Sequence, residues 1–490
     1  MKNTNKKGFT IVELVIVIAV IAILAAVLIP TFASIVKKAN IAADTQLAKN
    51  LNTVLTTAAI GADAPEDFSE VLKALRDNGF IISNINPTTE GWYYVWESDS
   101  NQILLVDGDN NYEIKYQSKE IKAENQTPGK TWNFAVSNAD KVAAIKALGS
   151  EGNRPYVVYA PKTTEALEDA FGDTFANGGT IAISSDILMG SGDFLMQTGK
   201  EATRKVTMDL SGNTVTNTSN IDYVVTGLDS SKRFGQLTAA EGTLVIANGT
   251  VASHSSASFV VSAIENGKVE LSDVTIDSFT HPIVNESGET VVGAGVALRV
   301  LGVGSDMQAN NVTINLEGKG GGCEIGLGTA TFDNVNITVN PENAHFSGIC
   351  VSASRAGTLT INSGTYTAKG AADGVLGLYT SVGNIVINGG TFVAEQENGK
   401  ICNPYKPSYV RYTGTGVVDD KTGYDVVQHT IELNGGIFKV GNKTVDISAL
   451  TDANYESEIK SLFGAVNYEG DLMSNLTVSK TDSGYKVVIK

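Results

Sequence analysis

An unbroken apolar stretch near the N-terminus constrains this chain more than any other feature. It runs from Leu14 to Ile29 and contains twelve Leu, Ile and Val residues. An α-helix from Phe9 to Ile29 is about 31 Å long at ~1.5 Å per residue, which matches the ~30 Å hydrocarbon core of a bilayer. The stretch is therefore long enough to span a membrane.

The residues around the stretch indicate which kind of membrane segment it is. Its aliphatic side chains contribute about −4 to −7 kcal/mol to insertion, and an acidic residue such as Glu13 costs at most ~2.5–3.5 kcal/mol. An ordinary secretory signal and a plain anchor are the alternatives. A secretory signal places small residues after its apolar core, whereas here the basic leader with Lys6, Lys7 and Gly8 precedes it.

The segment from Gly8 to Pro30 resembles the type IV prepilin signal. In that family a prepilin peptidase cuts after the glycine, the new N-terminal phenylalanine is N-methylated, and the fifth residue of the mature chain is glutamate. Gly8, Phe9 and Glu13 stand at these positions. Pro30 stands where the family kinks its long helix, and proline both removes an amide donor and clashes one turn back.

The same resemblance implies a role for Glu13, because a lone carboxylate in lipid needs a partner. That partner would be the free α-amine of a neighbouring subunit's first residue, here Phe9 after cleavage, and the pair would set the register of a filament. The alternative is that the Glu13 carboxylate lies in water near the interface. The implied partners are a prepilin peptidase, other pilin subunits and the membrane. The implied location is the bacterial cytoplasmic membrane before assembly, and then the cell surface or a pilus fibre.

The length and charge of the chain limit the architecture beyond the helix. At 490 residues the chain is too long for one compact domain, so we expect two domains after the helix. The formal net charge of −17 argues against nucleic acid as a partner, because phosphate binding needs a basic patch. Abundant Gly, Thr and Asn favour many short strands and tight turns.

The sequence after Pro30 indicates a small α+β unit. The helical pattern continues, and Asp63-Ala64-Pro65 opens a second helix that stops at Gly79. Two apolar runs, Trp92–Trp96 and Gln102–Val106, flank a polar turn and predict a β-hairpin. A long helix followed by a small antiparallel sheet resembles the head of a pilin.

A sequence repeat extends from about Thr164 to Val440. Each copy has an alternating apolar strand, a polar or glycine corner and a second short strand, and copies recur at roughly 23 to 46 residues. Stacked copies bury a continuous apolar column, while Gly and Asn supply left-handed backbone at the corners. The region resembles the pectate lyase-like right-handed parallel β-helix. A β-sandwich array is the competing interpretation.

The predicted fold class is α+β, with a long N-terminal transmembrane and pilin helix, a small α+β pilin-like head and a large right-handed parallel β-helix. The predicted boundaries are 1–8 for the prepilin leader, 9–60 for the transmembrane and assembly helix, 61–153 for the pilin-like domain, 154–445 for the β-helix and 446–490 for a C-terminal cap.

The sequence predicts no catalytic, metal or cofactor site. Pectate lyases of this fold gather aspartates for calcium with an arginine base, and polygalacturonase-like hydrolases use three aspartates with a histidine. Here the four histidines are scattered: His254, His281, His345 and His429. The three cysteines, Cys323, Cys350 and Cys402, have no spacing typical of a disulfide framework. Cys323 and Cys350 are expected to be two small buried side chains, although they could meet from neighbouring repeats.

Three tyrosines among prolines form the best candidate binding segment. The segment runs from Cys402 to Tyr412 and contains Tyr405, Tyr409 and Tyr412. Rigid aromatic faces with polar tips suit sugar stacking or protein hot spots. The candidate ligand is a glycan or a host or other surface protein. The alternative is that these rings pack against the wall of the solenoid.

These patterns together predict a non-enzymatic, type IV pilin-like surface subunit. It would be a minor or decorating subunit that assembles through its N-terminal helix and displays a β-helix for adhesion. One alternative is a membrane- or pilus-tethered carbohydrate-active enzyme. The other is a pseudopilin of a secretion system.

Overall fold

The computed structural model describes most of the chain beyond the leader. The described residues are 10–61, 64–65, 68–80, 85–110, 112–121, 132–136, 156–159, 161, 163–164, 166–167, 170–171, 174, 179–183, 185–189, 195–198, 205–217, 235–240, 242–253, 259–279, 283–284, 290–291, 295–317, 320–341, 349–370, 372, 374–379, 382–396, 399–407, 411–413, 416–418, 428–465, 468 and 470–490.

One long helix opens the described chain. The helix α1 spans Ile11–Gly61, a length of 51 residues, or about 76 Å at ~1.5 Å per residue. Pro30 lies inside it, where the proline nitrogen has no hydrogen to donate to the carbonyl one turn back. A second helix, α2, spans Phe68–Asp77 and is followed by Gly79 with φ +84°. The predicted second helix and its glycine stop are therefore confirmed.

Four strands belong to the head: β1 Trp92–Glu97, β2 Gln102–Asp107, β3 Glu113–Tyr116 and β4 Trp132–Val136. The next strands are β5 Tyr156–Tyr159, β6 Gly179–Ala182, β7 Ile187–Met189, β8 Leu195–Thr198, β9 Lys205–Asp209, β10 Thr214–Asn217, β11 Gly235–Ala240, β12 Thr243–Ser253, β13 Phe259–Ile264, β14 Lys268–Phe279, β15 Ile283–Val284, β16 Thr290–Val291, β17 Gly295–Leu301, β18 Asp306–Glu317, β19 Gly320–Gly326 and β20 Thr329–Asp333.

The remaining strands are β21 Val335–Asn340, β22 Ile349–Ser354, β23 Thr358–Ile361, β24 Gly364–Ala368, β25 Gly374–Leu378, β26 Asn384–Ile387, β27 Thr391–Ala394, β28 Arg411–Thr413, β29 Gly416–Val418, β30 His429–Leu433, β31 Ile437–Val440, β32 Lys443–Asp446, β33 Leu476–Lys480 and β34 Tyr485–Ile489. Two short helices, α3 Tyr455–Lys460 and α4 Leu472–Asn475, lie near the C-terminus.

The head is a small antiparallel sheet packed on the second half of α1. Strands β1 and β2 pair antiparallel from Trp92 opposite Asp107 to Glu97 opposite Gln102, which confirms the predicted hairpin. Leu51 and Leu55 of α1 are fully buried in one cluster with Leu105 of β2. The apolar stripe of α1 beyond the membrane stretch therefore packs on this sheet.

Two buried polar side chains of α1 fix the helix to the head. The Asn52 side chain donates to the Ile103 carbonyl at 2.7 Å and accepts from the Ile103 amide at 2.8 Å. The Asp44 carboxylate accepts from the Thr88 and Thr89 amides at 2.7 and 2.9 Å. Because unpaired buried polar groups are costly, these bonds specify one position of the helix on the sheet.

Three parallel ladders form the long β region. The first contains β6, β9, β12, β14, β18, β20, β23, β26 and β30, and the second contains β7, β10, β12, β14, β18, β21, β24, β27 and β31. The third contains β8, β11, β13, β17, β19, β22 and β25. The chain visits the three ladders in the same order in successive coils. Parallel ladders built in this order contradict the β-sandwich interpretation for the described strands.

The register of the first ladder follows the predicted repeat. Leu244 pairs with Val269, Val269 with Met307, and the series continues through Ala330, Leu359 and Ile385 to Ile431. These side chains are buried in a single core cluster. The irregular spacing of the sequence copies therefore reflects coils with loops of different length around one apolar column.

The corners between the first and second ladders carry the predicted asparagines. Asn248, Asn311 and Asn334 have φ of +59°, +53° and +50°, and Asp273 has φ +54°. Asparagine tolerates this left-handed backbone better than other residues with a β-carbon. The Asn334 side chain donates to the Asn311 side-chain oxygen at 3.0 Å, so the corner side chains also link one coil to the next.

The head hairpin is buried on both faces. Tyr94, Trp96 and Leu105 belong to the cluster with α1 and α2, whereas Val95 and Leu104 belong to the core cluster of the long β region. Strand β1 also pairs with β4, β4 with β5, β5 with β6, and β6 with β9, so one sheet runs from the head into the first ladder. The hairpin therefore closes the N-terminal end of the coils, together with the buried Leu167 and Phe171.

Helix α2 joins the head to the coil corners through two ion pairs. Arg76 Nη1 lies 3.4 Å from Asp209 Oδ1, and Lys73 Nζ lies 3.0 Å from Asp273 Oδ2. The Asp209 side chain is fully buried and accepts from the Ser211 amide at 2.7 Å. Burial raises the pKa of Asp209 to about 6, and the Arg76 guanidinium opposes that rise.

Antiparallel strands cover the C-terminal end of the ladders. Strand β34 pairs antiparallel with β30 and with β33, and β32 pairs antiparallel with β31. Tyr366, Phe392 and Phe438 form a buried stack in the last coils, with ring centroids 5.0 and 4.8 Å apart. Capped ends leave fewer unpaired strand edges for aggregation. The domain boundaries remain predictions, although β4 and β5, which lie on opposite sides of the predicted boundary at residues 153 and 154, pair with each other.

Candidate functional site

The first half of α1 has an exposed apolar surface. Its Leu, Ile, Val and Phe side chains from Ile11 to Val36 are between 43% and 81% exposed. The helix is long and apolar enough to cross a membrane, and its most apolar window makes no contact that buries it. One face of the second half of the same helix, with Ala48, Leu51 and Leu55, is buried against the head. The chain thus presents a bare hydrophobic rod attached to a folded body.

Glu13 lies in the first turn of this rod and forms a capping box with Thr10. The Glu13 carboxylate accepts from the Thr10 amide and the Thr10 hydroxyl, each at 2.8 Å. The Glu13 amide in turn donates to the Thr10 hydroxyl at 3.3 Å. Reciprocal bonds of this kind satisfy amides that have no partner at a helix start. The sequence interpretation missed this local partner, although the pattern Thr10-x-x-Glu13 is visible in the sequence.

Comparison with known proteins identifies the N-terminal segment. Residues 3–29 match the family described as "Prokaryotic N-terminal methylation motif". The chain is also 58% identical over 48 residues to the "Type IV wide pilus major component PilA4" of Thermus thermophilus. That match covers 10% of this chain and 34% of PilA4, so the chain spans about a third of the length of this curated relative. No solved structure matches the chain.

The N-terminal part of the chain is therefore type IV pilin-like. The motif, the pilin relative and the exposed apolar helix fit anchoring in the membrane followed by display on a pilus surface. The motif also indicates processing by a prepilin peptidase and assembly with other pilins. Gly8 and Phe9, the predicted cleavage and methylation residues, lie within the matched segment but outside the described residues, whereas Glu13 and Pro30 both lie in α1.

The start of the predicted tyrosine segment, from Cys402 to Pro407, lies at the C-terminal end of the third ladder. Tyr405 is half-buried, and its ring lies 6.0 Å from the ring of Tyr379, measured between centroids. Tyr412 lies on β28, and Tyr409 lies outside the described residues. The sequence interpretation did not include Tyr379. No local pattern could have paired two residues that are far apart in the chain and belong to successive coils.

His429 is the described histidine of the four, and it supports this segment. The imidazole Nδ1 accepts from the Gly383 amide at 3.2 Å, and Nε2 lies 2.9 Å from the Tyr405 carbonyl oxygen. Since a carbonyl only accepts, Nε2 carries the hydrogen and the ring is neutral. Burial lowers the pKa of His429 to about 4.

The remaining chemistry-bearing residues are dispersed. Within the described ranges, no group of three or more His, Cys, Asp or Glu side chains is close enough to hold a metal ion. Cys323, Cys350 and Cys402 are buried free thiols, which confirms the predicted burial of Cys323 and Cys350. Burial raises the pKa of all three thiols, so they are poor nucleophiles.

Proposed function

We propose that this protein is a type IV pilin-like surface subunit that carries an adhesive body. In this proposal the α1 rods of neighbouring subunits bundle after cleavage between Gly8 and Phe9, and the coils form a right-handed parallel β-helix displayed in solvent. The subunit is a minor or decorating one, because tightly bundled helices leave little lateral room for so large a body. The tyrosine segment binds a glycan or a surface protein, and the body is not an enzyme.

The observation that supports this proposal is the division of α1 into two halves. The exposed half carries a continuous apolar surface, and the buried half is fixed to the head by Asn52 and Asp44. A helix that only anchored the protein would need no such rigid joint. In the proposed filament, a helix that packs among like helices would transmit its register to the body through these hydrogen bonds.

We further propose that Glu13 sets the filament register through the α-amine of a neighbouring subunit's Phe9. In lipid, a carboxylate retains a net charge even when the capping box with Thr10 satisfies its hydrogen bonds. A cationic amine can neutralise that charge, whereas the neutral Thr10 hydroxyl cannot. The capping box therefore holds the carboxylate before assembly, and the amine completes its environment afterwards.

Two substitutions of Glu13 test this proposal. Glu13→Ala removes both the charge and the cap, while Glu13→Gln keeps the size and the capping bonds but removes the charge. We expect both variants to insert in the membrane and both to give at least tenfold fewer surface fibres, counted by electron microscopy with an antibody against the coils. Normal fibre numbers for Glu13→Gln would show that the charge pair is not required.

The two alternative functions give different results in simple assays. A tethered carbohydrate-active enzyme would release reducing ends or unsaturated products from a polysaccharide, and turnover by the purified protein would overrule the adhesive role. A pseudopilin would support protein secretion without long external fibres. A signal along thin fibres favours the proposed pilin-like assembly, and a uniform envelope stain favours a simple anchor.

A further inference from the structure

The segment Ile401–Pro407 extends the third ladder by one more level. Cys402 forms parallel bridges with Leu376 of β25 and with Phe463. The Leu376 amide donates to the Ile401 carbonyl at 2.8 Å, and the Tyr405 amide donates to the Leu378 carbonyl at 2.8 Å. The backbone is therefore hydrogen-bonded to β25 both at Ile401 and at Tyr405.

His429 adds a second attachment to the same residue. Its imidazole bridges the Gly383 amide and the Tyr405 carbonyl. Both backbone groups of Tyr405 are thus engaged, the amide by Leu378 and the carbonyl by His429. Because the backbone is held at both groups, ordering the Tyr405 ring on a ligand costs only side-chain entropy.

The Tyr379 ring lies beside Tyr405 because Tyr379 directly follows β25. The two ring planes are tilted by 36° with their centroids 6.0 Å apart, and both side chains are half-buried. A sugar ring between them would need about 7–8 Å, since each van der Waals contact takes roughly 3.5–4.0 Å. A ligand of this pair would therefore lie across its outer side, and we call the two rings the platform.

The surroundings of the platform favour one class of ligand. Outside α1, the described large hydrophobic side chains that are more than a third exposed are Leu188, Val303, Ile437 and Met473. Leu188 on β7 and Ile437 on β31 lie at opposite ends of the second ladder, whereas a stable protein interface needs roughly 800 Å² on each partner with an apolar centre. The net charge of −17 disfavours acidic polymers by repulsion. A neutral sugar needs only a small, rigid aromatic face with polar tips.

We propose that Tyr379 and Tyr405 form one aromatic subsite for a neutral sugar residue of a surface glycan, and that His429 is the positioning residue of this subsite. This inference rests on the proposed adhesive function and deepens it. Tyr379 and Tyr405 touch the sugar, and His429 acts through the Tyr405 backbone. Binding should therefore depend on both rings, and on the His429 bridge more weakly.

The test measures glycan binding by the full chain in detergent micelles. The probes are dextran and galactomannan as neutral polymers and polygalacturonate as the acidic comparison. The variants Tyr379→Ala and Tyr405→Ala should each weaken binding of a neutral polymer at least tenfold, and Tyr379→Phe should retain it within about threefold because stacking needs the ring. Tyr455→Ala removes a ring from another tyrosine pair, Tyr455 with Tyr485, and should leave binding unchanged.

The role of His429 is tested by comparing glycan binding in two variants, of which one can still form both hydrogen bonds. His429→Gln can donate to the Tyr405 carbonyl and accept from the Gly383 amide, so it should preserve binding, whereas His429→Leu should weaken it severalfold. Rescue by glutamine supports positioning through these two bonds. Equal loss in both variants, at equal melting temperature, would assign His429 another role and overturn the positioning part.

Distinct outcomes separate this inference from the proposed function. Loss of binding in Tyr405→Ala but not in Tyr379→Ala overturns the shared platform. Binding of polygalacturonate alone, or of no polymer by a protein that still forms fibres, overturns the neutral-sugar class and leaves the pilin-like assembly intact. Conversely, neutral-glycan binding by a protein that forms no fibres supports the subsite and counts against the assembly.

Discussion

Leu104 and Leu105 offer a sharp test of whether the head and the coils are one folding unit. They are neighbours on β2, and both side chains are fully buried. Leu104 points into the core of the coils, and Leu105 points into the cluster with α1 and α2. Replacing each by alanine removes the same atoms from opposite faces of one strand, so each variant is the matched control of the other.

The expected cost follows from burial. A fully buried Leu→Ala change costs about 2–5 kcal/mol, the sum of lost transfer energy and the cavity left behind. At ~2.1 cal/mol/K per residue over roughly 400 residues, the unfolding entropy is about 0.8 kcal/mol/K. A loss of ~3 kcal/mol therefore lowers Tm by about 3–4 °C if the whole body unfolds together.

Differential scanning calorimetry of the full chain in micelles measures the fall in Tm directly. Because the sheet from β1 to β9 is continuous, we expect one main transition that both Leu104→Ala and Leu105→Ala lower by similar amounts. Two separate transitions, of which Leu105→Ala moves only one, would refute the shared core. The head would then be an independent domain that merely contacts the coils.

Two further predictions concern buried titratable groups. The pKa of His429 is about 4 in the folded protein and ~6.5 in the unfolded chain. The neutral form therefore contributes its full stability above pH ~6.5, and that stability is lost as the pH falls toward 4. The total loss is about 3 kcal/mol. Denaturant titrations between pH 4 and pH 7 should show that the free energy of unfolding falls more steeply with pH in the wild type than in His429→Gln. The same dependence on pH in both proteins would contradict this prediction. Arg76→Ala should cost about 1–3 kcal/mol at pH 8, because it leaves the buried Asp209 carboxylate without its cation. This is less than the ~3–5 kcal/mol typical of a fully buried ion pair, since the Arg76 side chain is 22% exposed. Since the pKa of Asp209 is about 6, this cost should disappear below pH 5, and a cost independent of pH would indicate lost packing instead.

Much of the fold could be predicted from the sequence because it depends on short-range periodicity. Alternation of apolar side chains predicted the strands, and the recurring corner residues Asn248, Asn311 and Asn334 predicted where the backbone turns. The hairpin of β1 and β2 followed from two apolar runs around a polar turn. In each case the residues that determine the structure lie within a few positions of one another.

The contacts that the sequence did not predict are long-range. Nothing local in β1 and β2 shows which element covers their second face. Their central residues, from Trp92 to Trp96 and from Ile103 to Val106, do not alternate between apolar and polar side chains as a strand with one solvent-facing side would. The bridge from His429 to Tyr405 and the pairing of Tyr379 with Tyr405 depend on how successive coils stack. The cap between Thr10 and Glu13 was local and visible, and was missed because Glu13 was interpreted through its intermolecular partner.

In the proposed assembly, an N-terminal hydrophobic rod, freed of its leader, packs with like rods and carries the coiled body outside the cell. The most direct measurement is the N-terminal peptide of protein purified from surface fibres, identified by tandem mass spectrometry. We expect a peptide that begins at N-methylated Phe9, with Glu13 as its fifth residue. A peptide that begins at Met1, or one cleaved after the apolar stretch, would contradict it.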